Sequence, residues 1–409
     1  MFFLIIFSIP LATLLFWYLA DRRLRARRHR QLVAARLGLA VFMVFQIGFF
    51  AAIILSRRMG WGIDIPLPVA VVGYVWFLAV LPVFVMPLCV VLLGEALVAG
   101  ARWVRSLRAE PRQPTPQPSR EATLTRREML SLCIAATPPL LTLAGAGVAA
   151  GEINDFRVRS IDAPIPGLPA ALDGFRIVHL SDTHVGRFTG GPLLDRMADA
   201  INGMDADLVA VTGDVIDQSI GDLPEATAML TRLTARHGVY VCEGNHDLFE
   251  GRDKFESGVR GAGLNLLLNS GTIIESRGHR IELLGLRWGV PGGGRGAALE
   301  ENMAAIAAVR DPRADVSILM AHHPHAFDLA QTAGIALTLA GHTHGGQLML
   351  FPGFGVGSMI FKYCSGLYRA AGAALVVSNG AGNWMPLRIN APAEIVEVTL
   401  RRAADAATA

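Results

Sequence analysis

The chain has 409 residues, 52% of them hydrophobic, with a net charge of +3 and four cysteines. That length admits more than one domain, and the apolar fraction excludes a chain that is water-soluble throughout. Residues 1–150 hold 16 Arg against 6 acidic residues and residues 151–409 hold 21 Lys plus Arg against 28 acidic residues, so the positive charge belongs to the apolar half, which argues against a basic nucleic-acid surface.

Met1–Ala20, about Leu37–Leu55 and about Pro68–Leu97 each reach or approach the roughly 20 residues that carry a helix across a bilayer. The third is long enough to tilt, with Pro82 and Pro87 as kink points that neighbouring helices tolerate. Residues 1–100 therefore read as a membrane region of about three spans, and residues 101–128 as a cytoplasmic Arg/Pro-rich linker. A further apolar run, Met129–Ala150, contains Pro138-Pro139 and several Gly and Ala. It reads either as a fourth span or as a cleaved signal-like segment. Six arginines lie in 21–30 and seven in 101–127, but only Arg57 and Arg58 lie between the second and third spans. The two rich loops are then cytoplasmic, and residues 151–409 face the periplasm or exterior of a bacterial inner membrane. Thr125-Arg126-Arg127-Glu128-Met129-Leu130 resembles a twin-arginine export signal, which fits that direction, although an Arg pair also follows from positive-inside bias alone.

From Phe175 onward, short apolar strand-like runs each end in a polar motif. Phe175–Leu180 leads to Asp182-Thr183-His184, Leu208–Thr212 to Gly213-Asp214, and Val239–Cys242 to Gly244-Asn245-His246-Asp247. Ser317–Ala321 leads to His322-His323-Pro324-His325, and Ile335–Leu339 to the run Gly341–Gln347. Between the first two strands, Pro192–Ile201 has helical spacing, with Leu193, Leu194, Met197 and Ile201 on one face. Residues 271–286 alternate around Arg277-Gly278 as a hairpin. Gly289–Gly296 lacks a strand-to-helix phosphate cradle and reads as a surface loop. The ligand-bearing residues thus fall on loops at the carboxyl ends of strands.

Carboxylate oxygen, imidazole nitrogen and amide oxygen in five ordered islands supply what two neighbouring divalent metals, Mn, Fe or Zn, require, whereas a closed structural zinc site would use thiolates. No Cys-x-x-Cys occurs, and Cys89, Cys133, Cys242 and Cys364 suggest no disulfide framework. Two such metals can clamp a phosphoryl group and activate water between them. Other histidines have plainer readings. His179 sits inside an apolar strand, and His237 and His279 look like turn residues. His323 and His325 flank His322 and leave the ligand in that motif open. Asp217 reads as a loop-shaping residue.

The order DxH, GD, GNHD, single His, GHxH resembles that of the calcineurin-like metallophosphoesterases, over about residues 155–400. The stretch Val377-Ser378-Asn379-Gly380 to Pro392-Ala393-Glu394 looks like the bacterial exported branch of that family. The resemblance implies a two-sheet sandwich flanked by helices, an α/β fold preceded here by the helical membrane region. It implies that Asp182, His184 and His344 bind one metal, that Asn245, His322 and His342 bind the other, and that Asp214 bridges them. It favours His322 over its neighbours as ligand. By the same resemblance His246 stays off the metals and stabilises charge on the phosphate or protonates the leaving oxygen, with Asp247 as its orienting partner.

The expected activity is hydrolysis of phosphate mono- or diesters, with a phospholipid or lipid-linked phosphate among the candidate substrates; the sequence is silent on oligomeric state. Two alternatives stand beside it. One is a nucleotide-sugar lipid pyrophosphatase resembling the UDP-diacylglucosamine hydrolases, which would need a cytoplasmic domain. The other is a non-catalytic metal-binding membrane module, which the full ligand set disfavours.

Overall fold

The computed structural model of the protein describes residues 2–25, 30–59, 65–106, 124–289, 295–351, 354–370 and 372–403. The chain divides into two compact units, Met1–Ala150 and Gly151–Ala409.

The first unit is helical. Helix α1 covers Phe2–Leu24 and α2 covers Arg30–Met59. Helix α3 (Leu67–Val75), a π-helical stretch (Trp76–Val85) and α4 (Met86–Ser106) follow one another without a break, and α5 covers Arg126–Glu152. Among the described residues, Arg30–Ser56, Leu67–Arg105 and Arg126–Glu152 are long and apolar enough to cross a membrane. Pro82 does not end its helix. It falls in the π-helical stretch, where wider turns absorb its missing N–H and the Met86 N–H reaches back to the Leu81 carbonyl. Pro138 and Pro139 likewise lie inside the unbroken α5. Of the expected linker, residues 101–106 continue α4, and residues 107–123 lie outside the described residues.

The second unit alternates strands and helices in chain order. These are β1 (Arg157–Pro166), β2 (Arg176–Leu180), α6 (Pro192–Asn202), β3 (Leu208–Thr212), α7 (Leu223–Thr231), β4 (Val239–Cys242), α8 (Arg252–Gly261) and β5 (Asn265–Leu266). Then come β6 (Ser270–Ser276), β7 (His279–Gly285), α9 (Arg295–Val309), β8 (Val316–Met320), α10 (Ala326–Thr332) and β9 (Leu337–Ala340). The chain finishes with β10 (Met349–Phe351), β11 (Phe354–Gly355), α11 (Val356–Ile360), β12 (Gly366–Ala370), β13 (Ala373–Val377) and β14 (Glu394–Ala403). Residues 290–294 of the glycine-rich run lie outside the described residues, and α9 begins directly after them.

Among the described residues the strands form two six-stranded sheets, β1-β14-β2-β3-β4-β5 and β12-β13-β9-β8-β7-β6, and a separate β10-β11 hairpin. Strands β2 to β5 run parallel, as do β7, β8, β9 and β13. Each central strand is apolar on both faces because both are covered. Leu208 and Ala210 of β3 join Leu283, Ile318, Leu337 and Val376 between the sheets. Val209 and Val211, pointing the other way, join Leu194, Met197, Leu230 and Phe255 of α6, α7 and α8. On the far side, Met303, Ile306, Ala326 and Ala330 of α9 and α10 pack on Leu284 and Leu319. The result is the two-sheet sandwich flanked by helices. Strands β2 to β5 and β7, β8, β9 and β13 deliver their carboxyl ends to one edge, whereas β1 and β14 run the other way.

Candidate metal centre

Loops at that edge assemble the centre. Main-chain bonds knit them together: Asp182 N–H donates to the Gly213 carbonyl at 3.0 Å, His184 N–H to the Asp214 carbonyl at 3.0 Å, and Gly341 N–H to the His322 carbonyl at 3.1 Å. Asp182, His184, Asp214, His342 and His344 all have φ between 43° and 70°. These are left-handed conformations uncommon for residues with a side chain, and they aim the five side chains inward.

Among the described residues three groups of possible ligand atoms result, Asp182–His184–His344, Asp214–His322–His342 and, sharing His184 with the first, His184–Asp217–His246. In the first, His184 Nε2 lies 3.0 Å from His344 Nε2, and His344 Nε2 lies 3.2 Å from Asp182 Oδ1. In the second, His322 Nε2 lies 3.1 Å from Asp214 Oδ2 and 3.2 Å from His342 Nδ1. Asp214 reaches both. Its Oδ1 accepts the His246 N–H at 2.8 Å, while its Oδ2 is also 3.6 Å from His184 Nε2. The Asn245 side-chain oxygen is buried with no hydrogen-bond partner. A buried acceptor left unmatched is costly, and a cation is the partner that its surroundings suit.

Electrostatics point the same way. Burial works against charge on His184, yet the Asp182 and Asp217 carboxylates raise its pKa to about 10. Burial likewise opposes charge on His322, which Asp214 and Asp182 raise to about 9. The carboxylates of Asp182 and Asp214 themselves lie well below their ordinary range despite burial, chiefly because of His344 and His322 respectively. Burial pushes His342 down to about 2 and His344 down to about 4, so two of the four imidazoles carry protons that offset the carboxylate charge and two stand neutral, the form that binds a metal. The rear atom of one ligand is already fixed, with His322 Nδ1 2.8 Å from the Thr212 carbonyl, which sets the tautomer and leaves Nε2 facing Asp214.

His246 sits beside these groups. Its Nδ1 donates to the Asp217 carbonyl at 2.6 Å and lies 3.3 Å from the Asp217 carboxylate. That carboxylate also lies 3.5 Å from His184 Nδ1. Asp217, expected only to shape its loop, thus anchors His246 through its carbonyl and faces His184 with its carboxylate. Asp247 does not hold His246 as expected. Its carboxylate accepts main-chain N–H groups of Val215 at 2.8 Å, Ile216 at 3.1 Å and Gly244 at 2.8 Å, so it clamps the GD and GNHD loops to each other. Burial and the Asp214 charge push its pKa up to about 6.

Of the other described histidines, His237 lies in a turn as expected, whereas His279 opens strand β7 rather than sitting in the turn. His179 is a buried strand residue bonded to Thr212 Oγ1 at 2.8 Å. His237 meets Ser276, and His279 meets Asp315. His323 and His325 bond to each other through their Nδ1 atoms at 3.1 Å.

Three contributors escaped the sequence. The Trp288 ring lies 5.3 Å from His322 and 5.1 Å from His342, its main-chain N–H held by Glu243 at 3.0 Å. Trp384 lies 5.9 Å from His246 and 6.4 Å from His344. Arg388 is fully buried. It donates to the carbonyls of Asn379, Ala391 and Gly382 and to the Asn383 side chain, and stands 3.2 Å from His344 Nδ1. The stretch Val377–Glu394 already stood out as a motif, but nothing in its order shows which arginine turns inward.

Residues 175–346 match the family model described as calcineurin-like phosphoesterase. A transmembrane protein with metallophosphoesterase domain from Danio rerio is 31% identical over 68% of this chain and 63% of its own length. A metallophosphoesterase of Campylobacter jejuni is 31% identical over 60% of this chain and 63% of its own. The metallophosphoesterase YkuE of Bacillus subtilis is 28% identical over 68% of this chain and 98% of its own. The chain thus spans about 63% of the first two relatives. With the motif loops gathered at one edge of the sandwich, the second unit is a calcineurin-like metallophosphoesterase domain.

Proposed function

We propose that this domain hydrolyses phosphate mono- or diesters using two divalent metal ions, Mn, Fe or Zn. The observation that carries the reading is the pair of imidazole–carboxylate groups joined by Asp214, supported by the buried, unpartnered side-chain oxygen of Asn245, the residue before His246. Asp182, His184 and His344 would hold one ion, Asn245, His322 and His342 the other, and Asp214 both. When bound, such a pair lowers the pKa of water and offsets charge on the phosphoryl oxygens. The protein's own groups supply the rest. His246, anchored through Nδ1, gives a proton from Nε2 to the leaving oxygen, and Asp217 keeps that imidazole upright. The N–H groups of His342 and His246 each occupy part of the Asp182 and Asp214 carboxylates, which fixes the rotation of both. Trp288 and Trp384 give the centre apolar walls that thin out competing water.

For the whole chain, the reading is a multi-pass protein of a bacterial inner membrane with the domain in the periplasm or outside. The arginine-rich loops and the three apolar helices support it. The test is turnover of bis(p-nitrophenyl) phosphate by the purified full chain loaded with Mn, abolished by chelation and restored by Mn. Folded, metal-loaded protein that turns over no phosphomonoester, phosphodiester or phospholipid would mark a metal-binding module instead.

A further inference from the structure

Among the described residues of the second unit, seven large apolar side chains are conspicuously exposed: Val158, Phe249, Val309, Phe351, Phe354, Met359 and Ile360. Four of the seven fall within ten residues, on the β10-β11 hairpin and α11. Met359 is 79% and Ile360 69% exposed, so most of each side chain faces solvent. Phe351 and Phe354 stack on each other with ring centroids 4.9 Å apart, which leaves their outer faces to solvent. A cluster of this kind on a domain surface marks something apolar that it meets.

This segment is braced to the metal centre. An added Cβ on Gly346, two residues after His344, would collide with Gly357 of α11, so the ligand loop and α11 touch backbone to backbone. The Phe361 ring lies 6.1 Å from that of His342, and Thr343 Oγ1 donates to the Cys364 carbonyl at 2.6 Å. Met349 N–H donates to the Ile389 carbonyl at 2.9 Å. The apolar cluster is therefore a fixed platform beside the histidines. It turns polar at Lys362, paired with Asp328 at 2.8 Å.

We propose that β10, β11 and α11 rest on a bilayer surface, and that the substrate is a lipid-borne phosphoester whose acyl chain lies against Phe351, Phe354, Met359 and Ile360. The substrate part rests on the hydrolytic reading above. The occupant is a lipid because this chain supplies helices long enough to cross a membrane, and only residues 153–156 separate the last of them from β1. A phosphoester on an acyl chain also presents a phosphate and an apolar tail together, the pairing that the centre and the platform offer side by side.

The full chain in phosphatidylcholine vesicles provides two readouts. In the first, methyl and dodecyl p-nitrophenyl phosphate are compared as substrates. The dodecyl ester is expected to be favoured roughly tenfold or more in kcat/KM. Met359→Asp with Ile360→Asp should bring the kcat/KM ratio of the two esters near parity. An unchanged preference in that variant overturns the substrate assignment. In the second readout, Cys133→Ser removes the exposed thiol, and a bimane label is placed at Met359→Cys or at Glu275→Cys, at the opposite end of the sandwich. A nitroxide-bearing phosphatidylcholine should quench the label at 359 several-fold more than at 275. Equal quenching overturns the platform whether or not either ester is cleaved. Failure to cleave both esters would sink the hydrolytic reading and the substrate assignment with it, while the quenching still decides the platform.

Discussion

Asp214 divides its two oxygens between jobs, one taking the His246 N–H and the other facing both imidazole groups. Asp214→Asn should therefore lower metal content and activity together, read by elemental analysis beside turnover. His246→Ala should keep its metals and lose roughly 100-fold to 10,000-fold in rate, the usual range for a missing general acid. An empty site in that variant would mean that His246 is a ligand. Residue types and spacing in the sequence were enough to single out Asp182, His184, Asp214, His322, His342 and His344, which come together here, because short-range motifs carry them. They did not reveal what holds His246. Asp217 and Asp247 stand equally ready in the sequence, and only the path of two loops decides that the first meets the imidazole and the second meets backbone. Arg388 was further out of reach, since its partner His344 lies 44 residues away. Arg388→Met strips buried carbonyls of their donor and should cost on the order of 3 kcal/mol in chemical unfolding.

Strand ends place the ligands, and that relation was visible in the sequence because parallel strands covered on both faces read as unbroken apolar runs. Leu208–Thr212 and Val239–Cys242 appear with those same limits. The π-helical register around Pro82 was not legible, since a proline inside an apolar run reads equally as a kink or a break. The loops are equally exacting. Gly213 has φ +83°, and a Cβ there would sit 2.5 Å from the Gly244 nitrogen, which cannot move without shifting Asn245. Gly213→Ala should cost at least roughly 2 kcal/mol and reduce metal content in the folded fraction. A variant that melts and loads like the parent would show that the two loops have slack.

For the whole molecule, the uneven arginine distribution carries the expected orientation. A C-terminal alkaline phosphatase fusion should be active, and protease added to intact spheroplasts should digest the domain whichever export route it takes. Protection of residues 151–409 until lysis would reverse the orientation and favour a cytoplasmic nucleotide-lipid substrate. The left-handed backbone at Asp182, His184, Asp214, His342 and His344 has a consequence for descent as well. Glycine would relieve the backbone at His184, His342 and His344, so a lineage released from metal chemistry would gain stability by discarding these ligands. Selection for turnover and selection for a sturdy fold thus pull against each other at the same three codons, and a paralogue carrying Gly there would be recognisable as one that has given up the reaction.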